Sequence, residues 1–113
     1  MNTYIQLMTT VGDNDSAEMI AGELLAKKLA ACVQIAPCRS MYRWQGKIEK
    51  DDEYLLIIKS KGILYPELEK VIRRIHPYEV PELLAMDIAA GNPDYLHWLE
   101  QEVLSPIPLG KKA

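Results

Sequence analysis

The sequence of 113 residues has only two cysteines and two histidines, and its six glycines stand apart from one another. Cys32 and Cys38 are too few for a disulfide framework, and their spacing matches no metal or redox motif. Isolated glycines exclude the phosphate loop and the dinucleotide fingerprint, which both need several glycines at fixed spacing. A Ser-His-Asp or Cys-His arrangement is also missing, because His97 stands on the last predicted helix without a paired nucleophile.

Basic charge, long apolar runs and a targeting segment are missing as well. The net charge is −3 and the sequence pI is about 5.4, which leaves no basic face for neutralising nucleic-acid phosphates. No segment approaches the roughly 20 apolar residues of a membrane-spanning helix. The first residues lead directly into a strand-like run, without the basic region of a signal peptide. We therefore expect a cytoplasmic protein with reduced thiols, no nucleic-acid partner and no membrane association.

The residues that are present fit one globular domain over residues 1–113. Hydrophobic residues make up 49% of the chain and charged residues 26%, which is typical of a domain of this size. No repeat or linker divides the chain. The proline-rich segment 105–113 has no core pattern and is predicted to be a flexible or loosely packed tail.

Hydrophobic periodicity predicts four strands and three helices. The predicted elements are strand 3–10, helix 15–30, strand 32–49 with an interruption or bulge at Pro37, strand 54–58, helix 65–75, strand 83–89 and helix 94–103. This order predicts an α+β fold, a ferredoxin-like βαββαβ antiparallel sheet with two helices on one face and an added C-terminal helix.

Local signals predict where several elements begin and end. Asp15 followed by Glu18 resembles a capping box at the start of the first helix, with Lys27 and Lys28 in its last turns. Pro77 requires the second helix to stop at the residue before it. The hairpin is predicted to turn at residues 50–52, which keeps the Tyr/Trp alternation of 40–49 intact, and a turn at residues 45–46 is the alternative.

The predicted sheet leaves an apolar face without helices, and the long hairpin of residues 40–61 outreaches the strands with which it could pair. An exposed apolar face and unpaired strand edges both favour association. The pattern therefore predicts a homo-oligomer joined through sheet faces and hairpin edges.

Four motifs in sequence order resemble the CutA divalent-ion-tolerance family. They are LAACVQI at 29–35, the hairpin SMYRWQGKIE at 40–49 with its continuation to Ser60, HPYEVPE at 76–82, and Gly91 with Tyr95-Leu96 and Trp98. The resemblance covers about residues 3 to 100. It implies a homotrimer with clefts between subunits, an architecture similar to the P-II signalling proteins, and a connection with copper or another divalent metal.

The resemblance also implies a metal site around His76. The copper ligands attributed to a bacterial member of the family fall here on Met8, Ile75 and His76. Neutral imidazole suits copper and zinc, and the thioether of Met8 suits Cu(I), whereas Ile75 has no donor atom. The alternative is that His76 caps the second helix and forms hydrogen bonds within the cleft.

A polar and aromatic group around the hairpin is the candidate ligand-binding cleft. Its members are Tyr42, Trp44, Lys47, Glu49, Glu53, Lys59, Tyr78 and Glu79. Either lysine would contact a small anion, and the alternative is that the group forms salt bridges and aromatic packing within the oligomer. We expect a non-enzymatic trimer that binds a metal or a small ligand. The alternatives are an enzyme of unknown reaction that uses a cleft between subunits, with His76, Glu79 or Lys59 as acid–base groups, and a structural trimeric adaptor.

Overall fold

The computed structural model describes residues 3–105, and nearly all of the predicted tail lies outside these residues. The described elements are β1 (Tyr4–Val11), α1 (Asn14–Ala26), β2 (Cys32–Trp44), β3 (Lys47–Lys61), a 3-10 turn (Gly62–Leu64), α2 (Tyr65–Ile75), β4 (Leu84–Asp87) and α3 (Pro93–Glu102). The predicted βαββαβ order with an added helix is confirmed. In the described part of the chain, no helix is long and apolar enough to span a bilayer.

The four strands form one antiparallel sheet in the order β2-β3-β1-β4. Strand alternation places Leu7 and Ile58 on the same face, where both are fully buried. α1 and α2 cover this face with their apolar stripes, Ile20 and Leu24 from α1 and Ile72 from α2 among them. The core therefore lies between one face of the sheet and two helices, as the sequence predicts.

The opposite face of the sheet is left uncovered by α1 and α2. Its side chains come from alternate positions of β1, β3 and β4, namely Gln6, Met8, Leu55, Ile57, Lys59, Leu84 and Met86. Leu84 and Met86 are 56% and 42% exposed. α3 is attached at one end of this face, where Glu100 accepts hydrogen bonds from Tyr4 and Lys61. We call this surface the open sheet face.

α2 has the predicted bounds, whereas α1 differs from its prediction at both ends. The N-cap is Asp13, whose carboxylate accepts a hydrogen bond from the Ser16 backbone N–H, so the predicted cap at Asp15 is wrong. α1 ends at Ala26, four residues early, because Lys28 has a left-handed φ of 59°. The Leu29 N–H donates to the Leu24 carbonyl, which completes a Schellman ending with lysine in the usual place of glycine.

The hairpin turns at residues 45–46, and the predicted turn at 50–52 is wrong. Gln45 and Gly46 have φ values of 51° and 81°, the two positive values of a tight hairpin turn. Such a turn matches the twist of the flanking strands, so pairing runs without interruption from Trp44↔Lys47 to Cys32↔Lys59. Pro37 lies within this ladder without the predicted break, because β2 is an edge strand and tolerates a missing donor.

The hairpin extends well beyond the rest of the sheet. β1 ends at Val11, which pairs with Tyr54, so residues 47–53 of β3 pair only with β2. We call residues 38–53 the projecting hairpin. Its exposed apolar side chains include Met41, Trp44 and Ile48, which are 62%, 57% and 64% exposed. The predicted excess of hairpin over its pairing partners is confirmed.

Candidate functional site

The tip of the projecting hairpin brings four of the predicted cleft residues onto one face. Tyr42 lies directly opposite Glu49, and Trp44 lies directly opposite Lys47. Opposed residues of an antiparallel pair project to the same side, and so do residues two apart in one strand. The tight turn at Gln45 therefore groups two aromatic rings with one cation and one carboxylate.

Farther along the same face of β3, Glu53 is held by Tyr78. The Tyr78 hydroxyl donates to Oε2 of Glu53 over 2.6 Å, and the glutamate is only 7% exposed. Burial, followed by the hydrogen bond to Glu53, raises the pKa of Tyr78 above its ordinary value. The phenol therefore stays protonated at neutral pH and serves as the donor to a buried carboxylate.

A second tyrosine–carboxylate pair lies next to the first. The Tyr42 hydroxyl donates to Asp51, and this hydrogen bond, followed by burial, raises the pKa of Tyr42 to about 12. Asp51 and Glu53 are two residues apart in β3 and share a face. Sequence reasoning missed Asp51 because it assigned that residue to a turn. The pairing of Ser40 with Asp51 follows only once the turn is placed at 45–46.

His76 ends α2 and is satisfied entirely within its own chain. Its Nδ1 accepts the Tyr78 backbone N–H at 3.0 Å, so the ring proton resides on Nε2. Nε2 lies 3.0 Å from the Thr10 carbonyl oxygen, to which it donates, and 3.2 Å from the Thr9 hydroxyl. Burial lowers the pKa of His76, which keeps the ring neutral at neutral pH. These contacts match the alternative in which His76 is a capping residue.

The structure does not bring the two predicted metal donors together. His76 contacts Thr9, whose side chain lies on the helix-covered face, whereas Met8 is the neighbouring residue and lies on the open sheet face. Residues 3–105 contain no group of three or more His, Cys, Asp or Glu side chains that could hold a metal ion. A single described chain therefore lacks the three or four ligands of a tight site.

Two predicted cleft residues have other surroundings than the remaining six. Lys59 is twelve positions from Lys47 along β3, a separation of about 40 Å at the usual rise of a strand, and it donates to Gln34 over 2.9 Å. Glu79 lines a groove on the outer side of α2, together with Arg73. The candidate site is therefore made of five residues of the projecting hairpin, of Tyr78 from the segment after α2, and of Asp51, which the structure adds.

The fold and this hairpin define an α+β, ferredoxin-like protein with a large unpartnered surface. The model of the family described as CutA1 divalent ion tolerance protein matches residues 5–102. The divalent-cation tolerance protein CutA of Thermus thermophilus is 43% identical over 96 residues, which are 84% of this chain and 93% of that protein. The chain belongs to the CutA1 divalent ion tolerance protein family.

Other relatives and solved structures agree with this assignment. Protein CutA of Mus musculus is 48% identical over 86 residues, or 75% of this chain, which spans about half (49%) of the mouse protein's length. The solved Thermus thermophilus protein matches with a TM-score of 0.85 at 40% identity, covering 88% of this chain and 98% of that one. CutA1 of Oryza sativa matches with a TM-score of 0.89 at 38% identity, covering 93% and 97%. The similarity thus extends over the hairpin and the three helices.

Proposed function

We propose that the chain assembles into a homotrimer that acts in divalent-cation tolerance as a non-enzymatic binding and regulatory protein. The observation that carries the proposal is the projecting hairpin, whose exposed Trp44 and Ile48 have no cover within the described chain. The open sheet face adds further exposed apolar side chains, Leu84 and Met86 among them, and exposed apolar surface of this kind favours association. The trimeric state is inferred from the resemblance of the hairpin and HPYEVPE motifs to those of the CutA family.

The ligand cleft in this proposal is formed by the hairpin face that carries Trp44, Lys47 and the two tyrosine–carboxylate pairs. In the described part of one chain, this face forms only one side of a cleft. A neighbouring copy would supply that side and with it further donors. A copper or other divalent ion would therefore bind between subunits, since residues 3–105 of one chain bring too few ligands together.

The arrangement of the possible acid–base groups favours a binding protein over an enzyme. His76 has partners on both ring nitrogens, Glu79 lines the outer side of α2, and Lys59 lies on the open sheet face. General acid–base catalysis needs such groups within hydrogen-bond reach of one reacting centre. Within one chain these three groups face different surroundings, which supports the binding role.

The cytoplasmic location is part of the same proposal. Cys32 and Cys38 are both free and half-buried. They lie on one strand, about 20 Å apart at the usual rise per residue, so they cannot bond within a chain. A reducing compartment suits two unpaired thiols.

Light scattering on the purified protein tests the assembly. We expect a mass of three times the 12.8 kDa chain at micromolar concentration. Ile57→Lys, which places a charge on the open sheet face, should dissociate the trimer, and so should Trp44→Ser at the hairpin tip. Ile63→Lys is the matched control, because Ile63 is 65% exposed and belongs to neither surface. A monomeric wild-type protein would refute the proposal.

Calorimetric titration with Cu(II) and Cu(I) tests the metal part. We expect stoichiometric binding that is present in the trimer and lost in the Ile57→Lys variant if it is monomeric. His76→Ala tests whether the imidazole takes part after leaving its partners Tyr78 and Thr10. If neither Cu(II) nor Cu(I) binds the trimer stoichiometrically, the metal part of the proposal is refuted. The part that concerns a small ligand then remains.

A further inference from the structure

A groove on the outer side of α2 is lined by positively charged residues that are not part of the hairpin site. It has a volume of about 490 Å³ and is lined by Lys70, Arg73 and Arg74, with Glu69, Glu79 and two prolines. The volume lies within the range of small-molecule sites. We call it the α2 groove.

The cations of the groove have no ion-pair partners in the described structure. In residues 3–105 the ion pairs are Lys27–Glu23, Arg39–Asp52 and Lys61–Glu100. Arg73 and Arg74 follow Lys70 by three and four positions, so the three side chains are neighbours on the helix surface and repel one another. A chain with a net charge of −3 thus collects three unpaired cations at one concave site.

The α2 groove is a better candidate for contacting a small anion than the two lysines that the sequence suggests. The sequence suggests Lys47 or Lys59 as the anion contact, but these lie about 40 Å apart along β3 and the amine of Lys59 is held by Gln34. Lys70, Arg73 and Arg74 instead converge on one space. Guanidinium groups favour phosphate because their planar donors match its oxygens in pairs.

We propose that the α2 groove binds a small anion that carries two or more phosphate groups. Lys70, Arg73 and Arg74 together offer more N–H donors than the oxygens of one phosphate can use, whereas Glu69 and Glu79 weaken the binding of any anion. Leu68 and Ile72 are buried in the core while the groove residues face outward, so the groove is on the side away from the open sheet face. Assembly through that face leaves one groove accessible on each subunit.

Calorimetric titration with inorganic tripolyphosphate, in parallel with inorganic phosphate, tests the site. We expect tripolyphosphate to bind more tightly, with an affinity that falls as salt is added, and to raise the melting temperature by relieving repulsion along α2. Lys70→Gln should weaken binding about threefold to fivefold, and the double variant Arg73→Gln/Arg74→Gln about tenfold or more. Glu79→Gln should strengthen it about threefold, because it removes a repelling carboxylate.

Lys27→Gln is the matched control, since it removes one charge from another exposed lysine at a helix end. Equal loss in Lys27→Gln and Lys70→Gln, or equal affinity for phosphate and tripolyphosphate, would overturn the proposal. Absence of binding at millimolar tripolyphosphate would also overturn it. Light scattering on the same samples shows whether each variant assembles as the wild-type protein does, so that lost anion binding and lost assembly are told apart.

Discussion

Replacing Tyr78 by phenylalanine removes one hydroxyl and tests how firmly the chain after α2 is tied to the hairpin. The hydroxyl is the donor to Oε2 of Glu53 at 2.6 Å, and the glutamate is 7% exposed. Phenylalanine keeps the ring and its contact with His76, where the ring centroids are 5.0 Å apart. The substitution therefore isolates one hydrogen bond.

The expected loss follows from the burial of the acceptor rather than of the donor. A hydrogen bond to a charged group contributes about 1.5–3 kcal/mol, and a buried acceptor left alone costs its desolvation free energy. Tyr78 itself is 37% exposed, so water can replace part of the lost bond. We expect Tyr78→Phe to lower the free energy of unfolding by about 2 kcal/mol.

Tyr42→Phe is the matched control, because it removes the same group from a pair on an exposed strand. Tyr42 is 41% exposed and its acceptor Asp51 is also exposed, so water replaces the lost donor and we expect a clearly smaller loss than for Tyr78→Phe. Guanidinium unfolding followed by circular dichroism measures both variants, at one protein concentration because the proposed assembly would contribute to stability. A Tyr78→Phe loss no larger than that of Tyr42→Phe would contradict the argument from burial.

Three further predictions concern pH, the hairpin turn and a partly buried ion pair. Burial lowers the pKa of His76, so the unfolded chain takes up a proton first and stability should fall as pH drops below about 6.5. His76→Gln should remove that slope in thermal unfolding, and His97→Gln should keep it. Gly46→Val should cost about 1 kcal/mol or more, because φ is 81° there, and an unchanged melting temperature would refute the assigned turn. Glu100→Ala should cost about 2 kcal/mol, because Lys61 is 5% exposed and would keep only weaker partners. Lys61 lowers the pKa of Glu100, so this contribution should be present above about pH 4.5 and be lost as pH falls further; a loss in Glu100→Ala that is independent of pH would contradict it.

The fold was predictable where local signals and hydrophobic periodicity agree. α2 has the predicted bounds because Pro77 excludes a helical conformation at His76 and the apolar stripe ends there. The helix ends of α1 were not predictable in the same way. Lys28 adopts a left-handed φ that usually marks glycine, and Asp13 and Asp15 are equally good caps by composition.

The candidate site was predictable in its residues more than in its arrangement. Tyr42, Trp44 and Lys47 stand out because aromatic and charged residues alternate along one segment. These residues share a face only because the chain turns at Gln45. A positive φ is common for asparagine but not for glutamine, so the sequence did not indicate this turn. Moving a turn changes which residues oppose each other, which is why Asp51 was missed.

The sequence by itself determined the α+β order, the apolar stripes and the family, because these depend on neighbours along the chain. Only the tertiary structure decided that the His76 ring forms hydrogen bonds with Thr10 and Tyr78, and that Met8 lies on the other face of the sheet. It also placed Glu79 in the lining of the α2 groove. Such contacts join residues that are far apart in sequence. Their formation is set by strand register and by the path of the chain after α2, which no local pattern encodes.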